Sequence, residues 1–96
     1  MANYSLSNEA DLDIENHYEY GILTFGLEQA QNYMLAMHDS FELLADNPNL
    51  GRKADFLKEN LYRFDFREHV IFYYQKPKGI HISRVLTEDM DFKRHL

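Results

Sequence analysis

The hydrophobic period of this chain changes once, and the change falls at Gly51. Upstream, Ala10, Ile14, Tyr18 and Ile22 recur every four residues, the spacing of one helical face. Ser7 suits the N-cap of that helix, and Glu9 and Asp11 fall in its first turn, where acids favour the helix dipole. Asn3–Leu6, just before it, reads as a short strand. Phe25-Gly26 interrupts the pattern, and a second stripe follows: Ala30, Tyr33, Met34, Met37, Phe41, Leu44 and Ala45. Asn47-Pro48 stops it, because proline lacks a backbone donor and restricts the residue before it. Two helices with so short a break predict an antiparallel hairpin.

Downstream of Gly51 the period is two. Leu61–Arg67 alternates Tyr62, Phe64 and Phe66 with Arg63, Asp65 and Arg67; Val70–Gln75 and Ile80–Leu86 are β-branched and aromatic runs. The connections, Glu68-His69 and Lys76-Pro77-Lys78-Gly79, are short, and the second carries strong turn chemistry. Helices followed by strands predict an α+β fold: an N-terminal strand and α-helical hairpin packed on a C-terminal three-stranded antiparallel meander, in one domain over residues 1–96. With Glu68-His69 as a two-residue loop, Tyr62, Phe64, Phe66, Ile71, Tyr73, Ile80 and Ile82 share the face under the helices. Arg63, Asp65, Arg67, Val70, Phe72, Tyr74, His81, Ser83 and Val85 fall on the other. That second face is too apolar for a wholly solvated surface. It either receives a partner, as its mixture of aromatic residues and Arg suggests, or is covered by a loop or the C-terminal tail.

Charge is divided in the same place as period. Residues 1–51 hold nine acids (Glu9, Asp11, Asp13, Glu15, Glu19, Glu28, Asp39, Glu42 and Asp46) and no Lys or Arg, whereas residues 52–96 hold all ten basic residues against seven acids. Phosphate backbones demand a dense basic stripe, so direct nucleic-acid binding is not expected. No apolar run reaches the roughly 18 residues of a membrane span, and the first residues lack the basic and apolar regions of a signal peptide. Cysteine is absent, which removes disulfides and thiolate metal sites. A cytoplasmic protein without membrane association is expected.

No catalytic motif stands out. The histidines, His17, His38, His69, His81 and His95, form no i, i+4 pair, and neither a phosphate loop nor a nucleophile elbow is present, so no metal, cofactor or catalytic residue is assigned. Asp11, Asp13 and Glu15 read as an acidic, solvated helix face. Arg63, Arg84, His81 and Tyr74 could converge on the sheet to cleave RNA by electrostatic and acid–base work. The alternative is structural, with Arg63 and Arg84 pairing with acids such as Asp65 or Glu88.

In order along the chain, Ala10-Asp11-Leu12-Asp13-Ile14 with Tyr18, Gly26-Leu27-Glu28-Gln29-Ala30 with Tyr33, Leu44-Ala45-Asp46-Asn47-Pro48, Gly51-Arg52, Tyr62-Arg63, Phe72-Tyr73-Tyr74, Ile80–Leu86, Met90-Asp91 and His95-Leu96 resemble the ParE branch of the RelE/ParE toxins of bacterial toxin–antitoxin modules. The resemblance runs over essentially the whole chain. It implies a toxin that inhibits DNA gyrase by protein contact rather than by catalysis. It also implies neutralisation by a ParD-like antitoxin that folds around it in a hetero-oligomer. Two alternatives stand beside this: a RelE-type ribosome-dependent mRNA endoribonuclease, and a non-toxic relative that only binds antitoxin. Ribonuclease relatives commonly carry Arg where this chain has Val70, and His or Tyr near Leu86-Thr87; many ParE relatives show His where Thr87 stands. The expected antitoxin contacts are Leu50, Leu57, Arg63, Arg67, Val70, Phe72, Tyr74 and Val85. The tail residues Phe92, Lys93, Arg94 and His95 are expected either to meet the target or to belong to a docked turn that finishes the core.

Overall fold

The computed structural model describes residues 2–96. Strand β1 (Asn3–Leu6) leads into helix α1 (Asn8–Phe25), and α2 (Leu27–Asp46) follows after the single residue Gly26. Ser7 caps α1 as its sequence suggests: its hydroxyl oxygen accepts from the Ala10 N–H at 2.9 Å. Gly26 has φ +94°, a conformation costly for any residue with a Cβ, and this reverses the chain in one step. The helices meet near the tip of the hairpin, where a Cβ on Gly21 would lie 3.3 Å from that of Ala30.

Five strands then form one sheet in the order β1-β5-β4-β3-β2. The expected meander is its centre: β3 (Tyr62–Phe66), β4 (His69–Lys76) and β5 (Gly79–Thr87), all antiparallel. Beyond it, β1 pairs parallel with β5, and the two-residue β2 (Arg52–Lys53) pairs with β3. A short α3 (Phe92–His95) ends the fold.

Two details of register depart from the sequence reading. The β3–β4 loop is Arg67-Glu68, not Glu68-His69, since Phe66 pairs with His69. The slip is even, so every side chain on β3 and β4 keeps its face. Arg67 itself leaves the sheet face: it takes φ +53° in the turn and lays its guanidinium over the rings of Phe66 and Tyr33. In β5 the alternation breaks. Phe72 pairs with Arg84 but Tyr73 pairs with Ile82, leaving Ser83 as the extra residue of a bulge. The bulge turns Val85 under the helices, where it is fully buried, and puts Arg84 and Leu86 on the opposite face.

The helix-side core contains Ala10, Met37, Phe41, Leu44, Phe66, Ile71, Tyr73, Ile80, Ile82 and Val85, so the expected inward set of the meander is found there. Since β1 ends at Leu6, the rest of β5 has no strand on the edge away from β4. Side chains of α1 take over that edge. Asp13 accepts the Val85 N–H at 3.0 Å, His17 Nε2 donates to the Val85 carbonyl at 2.7 Å, and the Ser7 hydroxyl donates to the Ser83 carbonyl at 2.6 Å. Buried backbone groups must be paired, and here a helix supplies what a strand would. Asp13 is therefore a structural residue, not part of a solvated acidic face.

Candidate interaction surface

The face of the sheet turned away from the helices is a second core. Val70, Phe72 and Leu86 are buried there with Ala54 and Leu61, and Leu57, Tyr74, Met90, Phe92 and Leu96 pack around them. The cover has two parts. Residues 54–61 fold into turns, with Ala54 N–H donating to the Leu61 carbonyl at 2.8 Å, and Asn60, at φ +66°, donating its N–H to Asp55. The tail supplies α3, whose Phe92 ring meets Phe72 edge-on at 5.1 Å between centroids. The Arg63 guanidinium lies 5.3 Å from the Phe92 centroid and donates to Asp65 at 2.8 Å.

This arrangement revises the expected contact set. Val70 and Phe72 are buried beneath the chain's own cover, and Val85 lies under the helices, so none of the three is an open anchor. Arg67 belongs to the turn. Leu50 remains exposed, and Leu57, Arg63 and Tyr74 border the closed patch half-buried. The tail divides: Phe92 turns inward with Met90 and Leu96, while Lys93, Arg94 and His95 face solvent.

The four residues considered for RNA cleavage share this face, but three are engaged elsewhere. Arg84 donates to both oxygens of Asp13 at 2.8 Å and to the His95 carbonyl at 2.5 Å, so its acid is Asp13 rather than Glu88. The hydrogen bonds to Asp13 hold its pKa above the ordinary value against opposing desolvation. Arg63 is bound to Asp65, and His81 Nδ1 lies 2.7 Å from the Ser5 hydroxyl.

A feature invisible to motif reading lies at the hairpin tip. His17 of α1 and His69 of β4 meet edge to face, 4.2 Å between centroids. They help to line a cavity of about 430 Å³ with Tyr20, Phe25, Tyr33 and Arg67. Tyr33 Oη lies 2.7 Å from His69 Nδ1. Burial, reinforced by His17, lowers the pKa of His69 to about 4, so the imidazole is neutral near pH 7. Burial likewise raises Tyr33. The two histidines are remote in sequence, so spacing gave no signal. No group of three or more His, Cys, Asp or Glu suited to a metal exists among the described residues.

A helical hairpin laid on one face of a mixed five-stranded sheet, with a short tail on the other, places the chain among small two-layer α+β proteins. Its family follows from comparison with known proteins. Residues 4–92 match the family model described as ParE toxin of type II toxin-antitoxin system, parDE. Toxin ParE1 of Caulobacter vibrioides is 30% identical over 96 residues, covering 100% of this chain and 99% of that protein. Toxin ParE1 of Mycobacterium tuberculosis is 28% identical over 96 residues, covering 99% and 98%. A solved structure titled "Chromosomal ParDE TA system from P. aeruginosa" superposes with a TM-score of 0.77 at 18% identity, covering 91% of this chain and 96% of that one. The chain belongs to the ParE toxin family of type II toxin–antitoxin systems.

Proposed function

We propose that this protein is a toxin that inhibits DNA gyrase through protein–protein contact, without catalysis of its own, and that a ParD-like antitoxin neutralises it in the cytoplasm. Family membership over nearly the whole chain supports a toxin with an antitoxin partner. The observation that carries the non-catalytic reading is the commitment of Arg84, whose guanidinium is bound by both Asp13 oxygens and the His95 carbonyl. A ribonuclease of this architecture would need such a cation free to meet a phosphate. The outward side chains of the tail, Lys93, Arg94 and His95, are the proposed gyrase contacts, with Phe92 holding them in place. Leu50, Leu57, Arg63 and Tyr74 are the proposed antitoxin contacts.

Supercoiling by purified gyrase tests the reading. The protein should block supercoiling or accumulate gyrase-cleaved DNA, and added antitoxin should restore activity. Unaffected gyrase together with mRNA cleavage on ribosomes would replace this reading with the endoribonuclease one. No arrest of growth on expression, with antitoxin binding intact, would leave an antitoxin-binding relative.

A further inference from the structure

The outer surface of the hairpin is as unusual as the sheet. Of nine large apolar side chains that are well exposed among the described residues, seven lie on α1 and α2, and four of them, Tyr20 (66%), Leu23 (88%), Phe25 (60%) and Leu27 (53%), fall near its tip. Two of these, Tyr20 and Phe25, also form the wall of the 430 Å³ cavity, so the exposed patch continues inward to the His17–His69 pair. An apolar surface of this kind marks an interaction site more often than a solvated one.

Charge identifies what the surface suits. Eight of the nine acids in residues 1–51 are exposed, Asp13 being the exception, and no Lys or Arg balances them within either helix. At the cavity itself Glu68 and Arg67 offset one another, but the two helices around it carry acids alone, Glu19 and Glu28 among them. An acidic partner segment would be repelled by this hairpin, and a second copy docked tip to tip would bring two acidic hairpins together. A basic segment carrying an apolar side chain satisfies both the acidic hairpin and the cavity.

We infer that the hairpin-tip cavity is an anchor site for the antitoxin, receiving one aromatic or large aliphatic side chain from an antitoxin segment flanked by Lys or Arg. The proposal rests on the antitoxin reading above and adds a second contact region, beyond the proposed contacts bordering the tail-covered face of the sheet. The His69 imidazole, neutral near pH 7, can border an apolar group without desolvating a charge of its own, and the acidic hairpin selects the basic flanks.

The test is calorimetric titration of the full toxin with purified full-length cognate antitoxin at two salt concentrations. Leu23→Lys combined with Phe25→Ser, at well-exposed positions, should leave the melting temperature unchanged and weaken binding at least tenfold. Glu19→Gln with Glu28→Gln should weaken binding less and reduce its salt dependence. Wild-type affinity and salt dependence in both variants would overturn the site. So would normal antitoxin binding with altered self-association or lost gyrase inhibition, which would assign the patch to a second copy or to the target. Failure of the wild-type protein itself to bind the antitoxin would bring down the underlying reading, and the site with it.

Discussion

The two faces of the sheet are both dry, but they are closed in different ways. Helices cover one, and their apolar side chains recur with the helical period. Two irregular segments, residues 54–61 and the tail, cover the other with scattered side chains: Leu57, Met90, Phe92 and Leu96. A periodic face advertises itself in sequence, whereas a face closed by turns looks like an open, sticky surface. Phe72 and Val70 are core residues of the same standing as Phe41 and Ile71.

Truncation puts this equality at risk most sharply. Phe41→Ala on the helix side and Phe72→Ala on the tail side each remove a fully buried ring, and each should cost about 3–5 kcal/mol in denaturant unfolding. A loss below about 1 kcal/mol at Phe72 alone, the level of an exposed site, would show that the tail-side face is not a closed core.

The next variant addresses the residue that ties the faces together. Asp13, on α1, holds both Arg84 and the Val85 N–H, and Arg84 in turn holds the tail at the His95 carbonyl. Asp13→Ala leaves a largely buried guanidinium without its counter-charge and a backbone donor unpaired, and should cost about 2–4 kcal/mol, somewhat under the loss for a fully buried pair. Hydrogen exchange should then accelerate in both β5 and the tail. Acceleration confined to α1 would deny the coupling.

A pH titration separates the helix side from the tail side by a smaller effect. His69 ordinarily titrates at 6.5 and in the fold at about 4. Between those values the unfolded chain binds a proton that the folded chain refuses, so stability is complete above pH 6.5, falls as pH drops toward 4, and levels off below. The shift would be worth about 3 kcal/mol in full, and partial solvent access at the cavity reduces it to about 1–2. His69→Gln should remove that part of the slope. An unchanged slope would mean that the pair is not buried as described.

Much of this was legible in the sequence and some of it was not, for physical reasons. The hairpin, the meander and the inward face followed from periods of 3.6 and 2, which survive an even slip in register. The position of Val85 did not, because a single extra residue, Ser83, reverses the faces beyond it and carries no composition signal. The pairing of Arg84 with Asp13 and of His17 with His69 depends on α1 lying along the edge of β5 that β1 leaves open, a tertiary fact with no local trace. The tail was open to both readings because it serves as cover through Phe92 and offers Lys93, Arg94 and His95 outward.

One pair of variants measures that division of the tail directly. Lys93, Arg94 and His95 together replaced by Ala should leave the melting temperature and antitoxin affinity near wild type while abolishing inhibition of gyrase supercoiling. Phe92→Ala should lower the melting temperature, because it opens the core around Phe72. Full inhibition by the triple variant, at wild-type stability, would contradict the claim that the outward side chains of the tail meet the target.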